Sequence, residues 1–530
     1  MNGFIISLIP ILLFLLIKIR KAFHMLQQNW YNDGFRYMRW IGRNIKKVFF
    51  HYDLVIIPLF ILSFFIDVSI MLYVYCITYV VISYLYYRSI KKEQVKKPLV
   101  FTARIKRLSV TVLLLYVLIM YFIFKNYDIA YINILYLIVA ISVYLSYFIV
   151  LLANFINKPV EHQVFLHFKR QAIKKINGMT NMESIGITGS YGKTSSKNIV
   201  TEILSVKYNA FPSPKNFNTP YGLINTINNY LDKFSDYFVA EMGATKVGQI
   251  KDCSLIVKPK YGIITKIGEA HLESFGSKLN IENTKFELIE SLPSDGLGIL
   301  NGDDEIQMHH KINNNVKVMT IGIDNPDVDA RAINIKLSYK GTEFDVLFKG
   351  DNNLYHFESV LLGKNNVYNL LTGILLGKYL GIGIEQLKIG VKNVRPVEHR
   401  LELKKHGNLT IIDDAYNSNP EGSKMAAYVL GMMPGKKIIV TPGMIELGSL
   451  QYEANYNFGT YIADAKIDEV ILVGEKQTKP ILDGLIKSNY SNDNIHILND
   501  VKEAFPLIEK LKGEDTYVLL ENDLPDVFNE

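Results

Sequence analysis

The stretch "SIGITGSYGKTSSKNIV", from Ser184 to Val200, decides the fold of most of this chain. The β-branched run that ends at Gly189 has the pattern of a buried strand, and the apolar residues after Lys193 recur at helical spacing. A glycine turn between a strand and a helix is typical of a phosphate-binding loop, because backbone N–H groups at the helix start hold an anion. The stretch therefore predicts a nucleotide site, with Lys193 near the β- and γ-phosphates and Thr194 offering its hydroxyl to Mg²⁺. The predicted nucleotide-binding residues of this loop are Gly189, Ser190, Gly192, Lys193, Thr194 and Ser195.

The spacing within this loop departs from the general phosphate-loop pattern, which would place a glycine where the chain has Ile187. The run from Thr188 to Thr194 reads "TGSYGKT" instead. This shorter form resembles the Mur ligase family of ATP-dependent enzymes that form amide bonds.

Three metal-binding side chains are predicted from motifs further along the chain. The strand in "DYFVAEMGA" ends at Glu241, the loop after the strand in "YGIITKIGEAHLESFGS" contains His271, and the helical stretch "NIENTKFELIESL" carries Lys285. The resemblance implies that Glu241 and His271 bind Mg²⁺, and that Lys285 is carbamylated and holds a second Mg²⁺. The alternatives are a strand-end carboxylate that faces water, a structural histidine and an unmodified surface lysine.

Two further motifs resemble parts of the same cleft. In "SPKNFNTPYGLINTI", the resemblance places Asn218 and Thr219 beside the substrate. In "GKNNVYNLLTGILLG", it places Asn366 and Asn369 at the adenine of ATP, while Asn365 stands where many family members have histidine. The alternative for this second motif is simply a polar start to a helix.

The C-terminal part carries two matches in "RPVEHRLELKKHGNLTIIDDAYNSNPEGSKMAAYVL". The resemblance implies that Arg400 reaches an ATP phosphate and that Asp414 bonds the ribose, while Tyr416, Asn417 and Asn419 lie near the acceptor. This loop resembles the MurF branch, which adds D-alanyl-D-alanine, although a turn rich in Asp, Asn and Pro is the structural alternative. The chain departs from MurF in "KKIIVTPGMIELG", where an Asp usually stands at the position of Pro442 or Gly443. The predicted catalytic residues are Lys193, His271, Lys285 and Arg400.

The first 155 residues are dense in Leu, Ile, Val, Phe and Tyr, unlike the rest of the chain. A membrane-spanning helix needs roughly 17 to 25 apolar residues. We expect about five transmembrane helices, although the second apolar segment is short. The five segments are Phe4 to Ile19, Leu54 to Phe65, Val68 to Tyr87, Ser109 to Phe124 and Tyr131 to Phe155.

Positive charge predicts the orientation of these segments. The loops from Arg20 to Lys47 and from Arg88 to Arg107 are rich in Lys and Arg, which places both in the cytoplasm. The protein is then a multi-pass protein of the cell membrane whose part after Asn157 lies in the cytosol. This topology explains the net charge of +7 without a nucleic-acid partner. The basic and aromatic first loop is either an anchor in the headgroup layer or part of a site for a lipid-linked substrate.

The fold class predicted from these patterns is an α-helical transmembrane region followed by α/β domains. Strand-like runs in "KKIIVTPGMIELG", "DEVILVG" and "DTYVLLEN" alternate with helical stretches, which favours a Rossmann-like sheet. We expect the transmembrane region at residues 1–157, the central ATP-binding domain at 158–395 and the Rossmann-like C-terminal domain at 396–530. Cys76 and Cys253 are far apart and indicate neither a disulfide framework nor a cysteine-type zinc site.

The resemblance implies an ADP-forming ligase that uses ATP and Mg²⁺ to make an amide bond through an acyl phosphate. Its role would be peptide synthesis for the cell wall or envelope, with an amino acid or dipeptide as the acceptor. Mur ligases of the cell-wall pathway normally begin with a domain that binds a UDP-sugar. Apolar segments occupy that place here, so we expect the carboxyl substrate to be lipid-linked.

Three alternatives remain open from the sequence. The chain could ligate amino acids onto a polymer or lipid-linked stem, as folate polyglutamate and poly-γ-glutamate ligases of the superfamily do. A membrane scaffold or transporter with an ATP-binding regulatory domain would need the phosphate loop but not Glu241, His271 and Lys285 together. Glutamine-dependent amidation usually comes with a Cys-rich zinc insertion, which this sequence lacks.

Overall fold

The structure is a computed structural model that describes residues 2–29, 31, 34–92, 98–128, 131–269, 272–416, 418–445 and 447–523. The chain divides into two compact units, Met1–Leu166 and His167–Glu530. The first unit is helical, and the second contains both sheets. This order of elements confirms the predicted fold class.

The first unit is built from helices, most of them apolar. They are α1 (Asn2–Gln28), α2 (Gly34–Arg43), α3 (Ile45–Phe49), α4 (Ile56–Leu62), α5 (Val68–Lys92), α6 (Ala103–Lys125), α7 (Ile132–Tyr144) and α8 (Ser146–Ile156), with a 3-10 turn at Tyr52–Val55. Helix α9 (Lys158–Gly178) follows and runs past the boundary between the units.

Fewer helices are long enough to span a membrane than the five apolar segments suggested. Within the described residues, α1, α5 and α6 meet the requirement by length and composition, and α7 with α8 would make a fourth span. The α7–α8 pair is bent by 67°. The second segment, Leu54 to Phe65, forms only the 3-10 turn and the seven residues of α4, which cannot cross about 30 Å of hydrocarbon.

Side chains satisfy the backbone carbonyls that the α7–α8 break exposes. The Lys18 ammonium donates to the Tyr144 carbonyl at 3.3 Å, and the Tyr116 hydroxyl donates to the Ser142 carbonyl at 3.0 Å. Lys18 is also paired with Asp53, and both side chains are buried. In an apolar environment each backbone polar group needs an internal partner. These two hydrogen bonds therefore stabilise the break between α7 and α8.

The described part of the second unit contains a nine-stranded sheet with the order β2-β3-β1-β4-β5-β6-β7-β8-β9. Its strands are β1 (Glu183–Thr188), β2 (Ala210–Pro212), β3 (Tyr237–Glu241), β4 (Tyr261–Ile264), β5 (Leu297–Asn301), β6 (Lys317–Gly322), β7 (Ala330–Ser338), β8 (Gly341–Phe348) and β9 (Leu354–Ser359). The accompanying helices are α10 (Lys193–Leu204), α11 (Pro220–Asn229), α12 (Gln249–Val257), α13 (Leu272–Phe275), α14 (Lys278–Glu290), α15 (Glu305–His309), α16 (Lys364–Tyr379) and α17 (Ile384–Asn393).

Parallel pairing runs from β2 to β7, and β7 to β9 form an antiparallel extension. On one face, Ile185 and Ile187 of β1 pack in a core with residues of α10, α16 and α17. Side chains alternate across a strand, so Gly186 faces the other side, where a Cβ atom would lie 2.7 Å from Leu288 of α14. The parallel strands are therefore covered on both faces, and their carboxyl ends meet at one edge.

A second sheet follows, with six described strands in the order β10-β11-β15-β12-β13-β14. Its strands are β10 (Glu402–His406), β11 (Leu409–Asp414), β12 (Lys436–Thr441), β13 (Glu469–Val473), β14 (Ile495–Leu498) and β15 (Thr516–Glu521). Its helices are α18 (Pro420–Gly431), α19 (Gln451–Asp464), α20 (Glu475–Lys487) and α21 (Ala504–Leu511). All neighbours except β10 and β11 are parallel, so the strands after β10 share one carboxyl edge. The predicted domain boundary at residues 395 and 396 falls in the strand-free segment between β9 and β10, which contains α16 and α17. The boundary itself stays a prediction.

Candidate active site

The phosphate loop lies between β1 and α10, as the sequence predicted. Gly189 and Gly192 have φ angles of +150° and +79°, which side-chain-bearing residues rarely adopt. A Cβ atom on Gly189 would also lie 2.0 Å from the Thr265 hydroxyl. The Lys193 ammonium folds back over the loop and donates to the carbonyls of Gly189 at 2.7 Å and Ser190 at 3.0 Å. These contacts hold the amine above the loop where a phosphate would bind.

The segment after β4 fixes the other side of this loop. The Ser190 N–H donates to the Lys266 carbonyl at 2.7 Å, and the Ser190 hydroxyl bonds both the carbonyl and the N–H of Gly268. The Thr265 hydroxyl donates to the Tyr191 carbonyl at 2.5 Å. The loop is thereby braced, and Thr194 and Ser195 follow in the first turn of α10 with partly exposed side chains.

Burial, more than the neighbouring charges, sets the pKa of the loop lysine. Burial lowers the pKa of Lys193 to about 8; the nearby Glu241 raises it, and Arg400 lowers it further. Burial, with a smaller effect of Lys193, also lowers the pKa of Lys285 to about 7. Glu241, Lys285 and Arg400, each from a separate motif, are therefore close enough to Lys193 for their charges to interact with it.

Glu241 is the best-defined feature of the predicted metal site. Its side chain is 2% exposed at the carboxyl end of β3, and its Oε1 accepts from the Asn218 amide at 2.9 Å. Its Oε2 has no hydrogen-bond partner within the described residues. A buried carboxylate oxygen that accepts no hydrogen bond keeps lone pairs for a hard cation, so Glu241 fits a role as a Mg²⁺ ligand, although the Lys197 ammonium lies 3.5 Å from this oxygen.

Lys197 belongs to this site, although the sequence reasoning did not single it out. Its ammonium lies 3.5 Å from Glu241 Oε2 and donates to the Lys215 carbonyl at 2.7 Å, and its side chain is 2% exposed. Burial lowers the pKa of Lys197, and Glu241 opposes that shift. Its position four residues after Lys193, on the same helix face, was the available signal.

Of the other two predicted metal ligands, only Lys285 lies within the described residues. His271 lies outside the described residues, and no group of three or more His, Cys, Asp or Glu side chains suited to a metal occurs among the residues that are described. Lys285 is 3% exposed on α14, with its ammonium 5.6 Å from the centre of the Phe275 ring. Within the described part of the chain this ammonium has no hydrogen-bond or ion-pair partner. Lys285 is therefore a buried amine, which excludes the surface-lysine alternative.

The predicted substrate and adenine residues make structural contacts of their own. Asn218 holds Glu241, and the Thr219 hydroxyl accepts from the Gly222 N–H at the start of α11. The Asn369 amide oxygen accepts from the Ser196 hydroxyl at 2.7 Å, and its nitrogen donates to the Asn366 side chain at 3.2 Å. These two asparagines tie the start of α16 to α10, and their role at adenine stays a prediction.

Arg400 lies beside the loop that follows β11 in the C-terminal sheet. Its guanidinium carbon lies 4.7 Å from the centre of the Tyr416 ring. Burial raises the pKa of Asp414 to about 6, against the effect of Arg400 and of the Leu401 N–H, which donates to the carboxylate at 3.2 Å. Asn419 uses its amide oxygen to cap α18.

The predicted acceptor residues are thus described only in part. Tyr416 is 43% exposed, so its ring is available to a ligand. Asn417 lies outside the described residues. The roles of Arg400, Asp414, Tyr416 and Asn419 stay predictions.

This fold and loop define a nucleotide-binding α/β protein with a membrane-compatible helical unit. The Mur ligase middle-domain model matches residues 187–377, and the model for the Mur ligase glutamate ligase domain matches residues 399–520. This chain belongs to the Mur ligase family. It is therefore an ATP-dependent, ADP-forming carbon–nitrogen ligase, as the sequence analysis predicted.

Individual relatives agree with this assignment. The UDP-N-acetylmuramoyl-tripeptide–D-alanyl-D-alanine ligase of Bacillus subtilis is 31% identical over 63% of this chain and 72% of that protein. The ligase of the same name from Escherichia coli is 30% identical over 55% of this chain and 64% of that protein. The fold is similar to that of MurF from Thermotoga maritima in complex with ADP, with a TM-score of 0.61 and 22% identity over 69% of this chain and 81% of that one.

Proposed function

We propose that this chain is a membrane-bound ligase that joins an amine acceptor to a carboxyl group of a cell-envelope precursor. D-alanyl-D-alanine is the proposed acceptor, because both named relatives are UDP-N-acetylmuramoyl-tripeptide–D-alanyl-D-alanine ligases. The observation that carries the proposal is the position of Arg400. Its guanidinium carbon lies 4.7 Å from the ring centre of Tyr416 in the predicted acceptor loop, and Lys266, which braces the phosphate loop, lies 3.6 Å from Glu421 at the start of α18. The ATP-binding and acceptor-binding elements therefore face a common cleft.

The proposed chemistry follows from the reactants. A carboxylate does not react with an amine at neutral pH, so transfer of the γ-phosphoryl group first converts it to an acyl phosphate. Lys193 and Arg400 supply positive charge for the phosphate oxygens during this transfer. The amine then attacks the acyl carbon, and the tetrahedral intermediate collapses to amide and phosphate. Closure of the C-terminal domain would keep water from the acyl phosphate.

Bound Mg²⁺ would neutralise charge on the phosphate oxygens. The Thr194 hydroxyl and Glu241 would hold one ion, together with His271. Lys285 would support a second ion after carbamylation, and its enclosed position without an ion-pair partner agrees with that role. Asn218 keeps the Glu241 carboxylate oriented for this purpose.

We further propose that the carboxyl substrate is lipid-linked and that the catalytic unit works at the cytoplasmic face of the cell membrane. Three described helices are long and apolar enough to span, and a bent pair would add a fourth. A single helix would suffice for attachment, so a larger helical unit favours a part in binding a membrane substrate. The exposed cations of α2 and α3, Arg39, Arg43, Lys46 and Lys47, suit an anionic headgroup.

The test measures phosphate release and amide product with the full-length protein in detergent or nanodiscs. Carboxyl substrates are offered in UDP-linked and lipid-linked forms, and acceptors are D-alanyl-D-alanine and single amino acids. We expect product with the dipeptide and faster turnover of the lipid-linked substrate. Product with a single amino acid only would refute the dipeptide assignment, and equal rates with both carboxyl substrates would refute the lipid-linked one.

A further inference from the structure

Glu521 is a buried acid at the carboxyl edge of the C-terminal sheet, and the chemistry described above does not use it. It is the last residue of β15, which lies between β11 and β12, and it pairs in register with Asp414. Its side chain is 1% exposed. Strand β11 leads into residues 415–419, and β12 leads into residues 442–447; Asn417 and Glu446 of these loops lie outside the described residues. Because β15 lies between β11 and β12, Glu521 lies between the loops that follow these two strands.

One carboxyl oxygen of Glu521 contacts the 415–419 loop, and the other contacts the last residue of β12. Oε1 is bonded to the Ser418 hydroxyl, and Oε2 accepts from the Thr441 hydroxyl at 3.0 Å. The Thr441 oxygen in turn accepts from the Gly443 N–H at 3.0 Å. The one side chain thus reaches the 415–419 loop directly and the 442–447 loop through Thr441.

The Asn522 side-chain amide also links the 415–419 loop to the 442–447 loop. Its oxygen accepts from the Ser418 N–H at 3.2 Å, and its nitrogen donates to the Gly443 carbonyl at 2.6 Å. Its φ angle of +69° lies in the left-handed region, which asparagine tolerates better than most residues. Two consecutive residues with four contacts therefore fix the distance between the loops.

The far side of the 442–447 loop is also held. The Asn455 amide bonds both the N–H and the carbonyl of Met444, at 2.8 Å and 2.9 Å. Because α19 braces this loop, a change at Glu521 will act mainly on the 415–419 loop. That loop contains Tyr416, which projects from the surface and stacks with Arg400.

We propose that Glu521 and Asn522 are positioning residues that hold the 415–419 loop in the geometry that binds the amine acceptor. This inference rests on the proposed function, because it assumes that this loop receives the acceptor. Ligands of open α/β sheets bind beyond the carboxyl ends of the strands, which is the edge that these two residues organise.

Protonation of Glu521 fits this role. Burial raises the pKa of Glu521 to about 8; the Ser418 and Thr441 hydroxyls lower it, and Asp414 raises it. Asp414 lies on β11 with Arg400 beyond it, whereas the facing group on β12 is the uncharged Thr441. At pH 7 the acid is largely neutral and can both donate and accept, so glutamine is a close substitute for it.

The test is steady-state ligation by the full-length protein at pH 7, with acceptor and ATP varied separately. We expect Glu521→Ala to raise the KM for the acceptor about tenfold and to leave the KM for ATP within about twofold. Glu521→Gln should restore the acceptor KM. The matched control is Glu509→Ala, which removes an exposed acid on α21 that bonds only Lys512 among the residues described.

A milder variant covers the case in which Glu521→Ala does not fold. Ser418→Ala removes one hydroxyl contact and should raise the acceptor KM by a smaller factor, again without changing the KM for ATP. Equal effects on both KM values, or an unchanged acceptor KM in Ser418→Ala and Glu521→Ala, would overturn the inference alone. A wild-type protein that ligates no amine would instead overturn the proposed function.

Discussion

Replacing Glu241 by glutamine should separate its structural contribution from its proposed catalytic one. The glutamine can still accept from the Asn218 amide, so the shape of the site is kept. Its amide, however, cannot balance the Lys197 ammonium 3.5 Å away, and both side chains are only 2% exposed. Breaking a buried ion pair costs about 3 to 5 kcal/mol. We expect the lower end, about 3 kcal/mol, because Lys197 keeps its bond to the Lys215 carbonyl.

Hydrogen exchange of the full-length protein, followed by mass spectrometry, measures this loss of stability. Tryptophan fluorescence would not report it, because the two tryptophans, Trp30 and Trp40, both precede the second unit. A loss of 3 kcal/mol corresponds to an increase of about 100-fold in the exchange rate of the β3 amides. ATP turnover should fall to background in the same variant.

The double variant Lys197→Met with Glu241→Gln is the matched control. It removes the unpaired charge, so β3 should regain most of its protection while ATP turnover stays at background. Unchanged protection in Glu241→Gln alone would refute the argument that the ion pair stabilises the site. Recovered ATP turnover in the double variant would exclude Glu241 as a metal ligand.

Four other outcomes are expected. Lys193→Ala should abolish ATP hydrolysis, measured as phosphate release, while circular dichroism stays unchanged, because among the described residues this amine donates only to loop carbonyls. Lys285→Ala should lose activity, and added short carboxylic acids should partly restore it by replacing the carbamate; full activity without them would remove Lys285 from the site. The folded-state pKa of Glu521, about 8, lies above its unfolded value, so its neutral form stabilises the fold at low pH and this contribution declines as the pH rises from about 4.5 to 8. Glu521→Gln should flatten that decline in denaturant titrations. Asp53→Asn should destabilise the helical unit by about 3 kcal/mol in thermal scans, because it leaves Lys18 buried without its partner; a parallel Lys18→Met variant with Asp53→Asn should recover most of the loss.

Local patterns determined where the main elements of this protein lie. The glycines of the phosphate loop and the spacing of the apolar residues on either side of it predicted the positions of β1 and α10. Both signals depend only on residues that are neighbours along the chain. The same holds for the long apolar helices α1, α5 and α6. Length alone already set Leu54 to Phe65 apart, because this segment has fewer residues than a membrane-spanning helix needs, and it forms only the short helix α4.

Contacts between distant residues were decided by the tertiary structure. Lys197 looked like one more polar residue of an amphipathic helix until the sheet order brought β3 beside β1 and Glu241 within 3.5 Å of it. Glu521 and Ser418 are 103 positions apart and meet only because β15 inserts between β11 and β12. The sequence by itself determined the family and the position of the phosphate loop. The partners of Lys197 and Glu521 depend on strand order, which is set by the packing of the whole sheet, so only the tertiary structure decided them.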